Sequence, residues 1–118
     1  MRIDLLPSEG QFYKANLHAH TTLSDGHWTP QELKDAYKTA GYAVVAYTDH
    51  RYYVHHTELD DTDFLALAAY EVDINRPAPS FNHVKTYHIN LYDTCPAQHM
   101  SEKFQAPLPE MDYDDLPA

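Results

Sequence analysis

At 118 residues and 43% hydrophobic composition, the chain is long enough for one small domain with a modest core. Its formal net charge of −10, from eighteen acidic against eight basic residues, repels a phosphate backbone and excludes broad nonspecific nucleic-acid binding. A single cysteine, Cys95, excludes an internal disulfide, and no run approaches the roughly 18 apolar residues of a membrane-spanning helix.

Residues 1–7 are too short and too soon interrupted for a signal peptide, so the expectation is a cytoplasmic, reduced, soluble protein. Residues 12–18 read as a first strand, with Leu17 as a core residue. His18 and His20 stand at i and i+2, a spacing that aims two imidazoles at one point, as a metal site needs. Ser24-Asp25-Gly26 then makes a turn that carries a carboxylate.

A helix starts at Thr29, a good N-cap, with Pro30 in the first helical position and Glu32 completing a capping box. Leu33, Ala36, Tyr37 and Ala40 form the stripe that packs on a sheet, and Gly41 ends the helix as a left-handed cap. Residues 43–47 are apolar without alternation, which suits a strand buried on both faces of a parallel sheet. Strand, helix and strand with short links make a βαβ unit, expected to cross over right-handed.

The second strand ends in Thr48-Asp49-His50-Arg51. Residues 52–63 read as a loop with one short helical turn. The second half of 64–70 reads as a strand leading into Glu71-Val72-Asp73-Ile74 and a turn at Pro77 and Pro79. Residues 86–92 alternate as a fourth strand, with Thr86, His88 and Asn90 on one face. Four of the eight prolines lie from Pro96 onward, so 94–118 reads as a Pro-rich acidic loop or linker, with residues 112–116 resembling a helix start.

Each strand thus ends in a candidate ligand: His18 and His20, then Asp49 and His50, then Glu71, then His88. In α/β barrels functional residues gather at the C-terminal ends of parallel strands. Imidazoles and carboxylates together suit zinc, manganese or iron. His27, His55, His56, His83 and His99 read as surface residues or neighbours of the site, and Tyr52-Tyr53 as a structural cover.

Four motifs carry a resemblance to a known family: His18-Ala19-His20 with Ser24-Asp25-Gly26, Thr48-Asp49-His50, Glu71 after a hydrophobic strand, and His88-Ile89-Asn90-Leu91-Tyr92. Over residues 13–93 the chain resembles the N-terminal half of a PHP (polymerase and histidinol phosphatase) domain. The resemblance implies an α/β fold, part of a distorted (β/α)7 TIM-like barrel, holding two or three divalent metal ions (Mn, Zn or Fe). It implies that 1–93 form half of the metal-binding domain and that a C-terminal half supplies the remaining ligands.

By the same resemblance His18, His20 and Glu71 bind one metal, and Glu71 bridges to a second that also takes His88. Asp25 and His50 serve a third, and Asp49 orients its neighbours. Arg51 is placed beside His50 as a phosphate contact by position and chemistry alone. The activity implied is a metal-dependent phosphoesterase acting through a metal-activated hydroxide on a phosphorylated small molecule or nucleotide, with Glu71 as a catalytic residue; Arg51 is added as the second catalytic residue by its position and chemistry. The later histidine and the Asp-x-His pair of the family do not occur after His88, where the only histidine is His99. A noncatalytic PHP metal-binding module is therefore the alternative.

Overall fold

The computed structural model describes residues 9–76, 85–94 and 111–112. Helix α1 (Pro30–Thr39) begins as expected. The Thr29 hydroxyl accepts from the Glu32 backbone N–H, and the Glu32 carboxylate accepts from the Thr29 N–H at 2.9 Å. These two bonds satisfy donors that a helix start otherwise leaves unpaired. Gly41 follows the helix with φ 81°, and its N–H donates to the Lys38 carbonyl. Within the expected apolar stripe Leu33 is buried and Tyr37 packs against the core, whereas Ala40, at the helix end, is exposed.

The sheet is mixed, in the order β1-β2-β3-β4. Strands β1 (Ala15–Ala19) and β3 (Leu65–Arg76) flank β2 (Val44–Tyr47), both parallel to it. Val45, Ala46 and Tyr47 are all buried, the pattern of a central strand covered on both faces. Strand β4 (Lys85–Tyr92) lies antiparallel to β3 rather than continuing a parallel series. His88 and Glu71 consequently sit inside strands, not at strand ends. Met111–Asp112 form a two-residue strand, β5, parallel to β3 at Ile74 and Asn75. Asp112, read as the first residue of a helix start over 112–116, lies in β5 instead; the turn at Pro77 and Pro79, residues 113–116 and most of the 94–118 segment lie outside the described residues.

The core gathers Ala19, Leu33, Val45, Tyr47, Leu59, Phe64 and Ala66, between α1 and the sheet and under a 3-10 turn at Thr57–Leu59. Leu17, expected in the core, is 50% exposed. Asn16 pairs with Val45 and Ala19 with Tyr47, so three steps along β1 match two along β2. The extra residue is a β-bulge. It keeps Asn16 and Ala19 on the helix side and turns Leu17 out of register with the core. His56 also departs from expectation: it is buried, its ring against Tyr47 at 4.9 Å and its Nδ1 3.0 Å from Glu58. Among the described residues no helix is long and apolar enough to cross a membrane.

Candidate metal centre

The β1 bulge lies beside His18 and places it on the sheet face away from α1, where His20, just past the strand end, joins it. Their ring centroids are 4.8 Å apart and nearly perpendicular. Thr48, fully buried at the end of β2, ties this end of β1 in place. Its hydroxyl accepts from the Ala19 N–H at 3.0 Å and lies 3.0 Å from His18 Nδ1. From β4, the Asn90 amide nitrogen stands 2.8 Å from the same Nδ1.

Beyond His20 the chain folds over Asp49. This buried carboxylate accepts from the Thr21 N–H at 2.7 Å, the Thr21 hydroxyl at 2.9 Å and the Ser24 hydroxyl at 2.7 Å. Three donors satisfy a charge that would otherwise be costly to bury. Asp49 thus ties down the loop that carries Asp25. Asp25 reaches back, its Oδ1 2.6 Å from His20 Nδ1 and its Oδ2 3.6 Å from His50 Nε2. The hydrogen bond to His20, and the imidazoles of His20 and His50 nearby, hold the Asp25 carboxyl below its ordinary range.

Glu71 lies at the middle of this face. Its N–H donates to the Asp49 carbonyl and its carbonyl accepts from the Arg51 N–H, while Asn90 pairs with it from β4. With the backbone held from both sides, the side chain is 4% exposed and all four imidazoles converge on it. Oε2 lies 3.1 Å from His20 Nε2 and 3.3 Å from His50 Nδ1; Oε1 lies 3.3 Å from His88 Nδ1 and 3.9 Å from His18 Nε2.

Whether these groups suit a cation is answered by their unpaired atoms. His20 Nε2, His50 Nδ1 and Glu71 Oε2 are all buried without a hydrogen-bond partner. Donors about 2.1 Å from a shared ion stand roughly 3.0–3.4 Å apart in octahedral or tetrahedral geometry. The separations around Glu71 Oε2 fall in that window, so the donor set fits a divalent cation. Three overlapping groups have this potential: His18, His20 and Glu71; His20, Asp25 and His50; His50, Glu71 and His88. All six expected ligands are thereby brought together.

Comparison with protein-family models, curated proteins and solved structures gave no match. What the site can do rests on its own chemistry.

Arg51 adopts φ 57° and turns its guanidinium onto Asp73, with Nε and Nη2 at 3.1 and 2.8 Å from Asp73 Oδ2. Asp73 is the site residue that sequence reasoning passed over. Its signal was present: from Tyr70 onward β3 alternates apolar and polar residues, which puts Glu71 and Asp73 on one face. Thr48, Thr21 and Ser24 carried no such signal, because their roles depend on loops meeting in space. His55 is half-buried and His27 exposed outside these groups, and His83 and His99 lie outside the described residues.

Proposed function

We propose that the chain is the N-terminal, metal-binding part of a PHP-type domain, built as part of a TIM-like barrel, and acts as a metal-dependent phosphoesterase. The observation that carries this reading is the set of unpaired imidazole and carboxylate atoms around Glu71, at the mutual spacing of ligands on shared ions. The order of these residues along the chain is that of the family motifs. Two or three ions of manganese, zinc or iron suit this mixture of nitrogen and oxygen donors. Divalent cations supply charge to neutralise phosphoryl oxygens, and they acidify water.

The chain's own residues do the rest. Glu71 has one oxygen beside His20 and His50 and the other beside His18 and His88, so it would hold a cation together with either pair. Asp25 orients His20 through Nδ1 and so directs Nε2 toward Glu71. Arg51, held on Asp73 and next to His50 in the chain, would contact a bound phosphate ester. The substrate class is a phosphorylated small molecule or nucleotide, and the lone Cys95 suits a cytoplasmic setting.

A noncatalytic metal-binding module is the second reading, because the same imidazole and carboxylate donors would hold a structural ion as well as a catalytic one. Elemental analysis of purified protein, followed by turnover of p-nitrophenyl phosphate with added manganese, separates the two. Bound metal with turnover selects the enzyme, and bound metal without turnover selects the module. Glu71→Ala should abolish turnover and lower metal content together; retained turnover in that variant would count decisively against the scheme.

A further inference from the structure

Two rings at this site, His20 and His88, have a carboxylate oxygen within 3.5 Å of both nitrogens; in His50 the Nε2 contact is longer, 3.6 Å to Asp25. His20 has Glu71 Oε2 at 3.1 Å from Nε2 and Asp25 Oδ1 at 2.6 Å from Nδ1. His88 has Glu71 Oε1 at 3.3 Å from Nδ1 and Asp73 Oδ1 at 3.4 Å from Nε2. The two nitrogens of one imidazole diverge, so a ring gives one of them to an ion and has the other left for a hydrogen bond. In both rings Glu71 stands at one nitrogen and an aspartate at the other.

We propose that Asp73 is the positioning carboxylate of His88: it accepts the Nε2–H and so commits Nδ1 to the cation beside Glu71. The proposal rests on the metal-binding reading above. The antiparallel register sets Asp73 directly opposite His88, on the face that also carries Glu71. Asp73 is itself fixed, because Arg51 holds Oδ2 through two N–H groups. Its other oxygen, Oδ1, is buried without a hydrogen-bond partner, although His88 Nε2 is within reach. The His88 side chain is half-exposed, so a rotation of the ring brings Nε2–H onto that oxygen.

His50 Nδ1 is also 3.1 Å from Asp73 Oδ1, but it stands 3.3 Å from Glu71 Oε2 as well, where it would be a ligand atom for a cation beside Glu71. Asp73 is better suited to orient than to ligate. The guanidinium on Oδ2 already neutralises its charge and repels a cation at the same carboxylate, whereas Glu71 has no cationic side chain against it among the described contacts.

Long-range proton–nitrogen correlation spectra of the full chain, labelled at histidine nitrogen and titrated with zinc, test this. In the wild type, His88 should display a zinc-bound Nδ1 and a protonated Nε2. Asp73→Ala should lose that signature, with zinc affinity at this position weakened about 10–100-fold. Asp73→Asn keeps an acceptor oxygen and should keep the Nε2–H, with a smaller loss. Zinc on His88 Nε2 in the wild type overturns the proposal. So does an unchanged spectrum in Asp73→Ala, or the loss of a whole zinc equivalent in both variants, which would make Asp73 a ligand. If Asp73→Ala does not fold, the wild-type and Asp73→Asn spectra decide alone. A wild type that takes up no zinc overturns the metal reading itself, an outcome distinct from zinc uptake through the wrong nitrogen.

Discussion

Gly26 stands where a side chain has no room. A Cβ built on it would lie 2.2 Å from the His20 carbonyl oxygen, a backbone atom that cannot step aside. Its N–H also donates to the Thr21 carbonyl, closing the turn that holds Asp25 against His20. Gly26→Ala should therefore cost about 1–3 kcal/mol of stability through overpacking. It should also weaken manganese binding, because relieving the clash moves either His20 or Asp25. Chemical denaturation and calorimetric titration read the two effects, and a variant that matches the wild type in both contradicts the role of this turn. Asp61 makes a different residue-scale case. The Lys34 and Lys38 ammonium groups and the Asp63 N–H hold its carboxyl far below the ordinary range. A depressed carboxyl stabilises the fold above the unfolded-state value, and that contribution fades as pH falls toward the folded-state value. Asp61→Asn should thus lower the melting temperature at neutral pH, modestly because the group is solvent-screened, with the gap closing below about pH 4. A gap that stays constant down to pH 2 would refute the ion-pair origin.

At the scale of elements, α1 was the most legible part of the chain because its ends are written in local chemistry. Thr29, Pro30, Glu32 and Gly41 each act within a few residues of their own position. Removing the cap by Thr29→Ala should cost about 1 kcal/mol in urea unfolding, and no change would mean that packing of Leu33 alone holds the helix start. Strands were legible as strands, and the βαβ pattern gave the parallel pairing of β1 with β2, but the direction of β4 was not legible. Nothing in the alternation of residues 86–92 states whether that strand runs with or against β3, because a period of two is the same in both directions. The bulge between Asn16 and Ala19 was hidden for a similar reason. An extra residue shows only against a partner strand, so Leu17 read as core and proved exposed. Asp73 was readable, since the alternation that places Glu71 on one face places Asp73 beside it. The burial of His56 was not, because a loop residue has no period to reveal which way it faces.

For the whole molecule, the decisive fact is that a chain of net charge −10 buries one of its carboxylates, Glu71, on the sheet with no Lys or Arg ion pair to it among the described contacts. Glu71 Oε2 has no hydrogen bond, and a buried acceptor left in this way is destabilising by about 1–3 kcal/mol. Such an arrangement lowers the stability of the metal-free protein, and the metal-binding reading requires a bound cation to offset that loss. Glu71→Gln should therefore leave the metal-free protein at least as stable as the wild type at pH 8. Manganese at 100 times its dissociation constant should stabilise the wild type by about 2.7 kcal/mol through selective binding to the folded state. The same addition should do little for Glu71→Gln, which keeps the shape of the side chain but not its charge. Thermal melts of both proteins, with chelator and with manganese, give the four values required. A variant that is less stable than the wild type by more than about 1 kcal/mol without metal, and still rises with manganese, would mean that Glu71 is held for the fold and not for a cation.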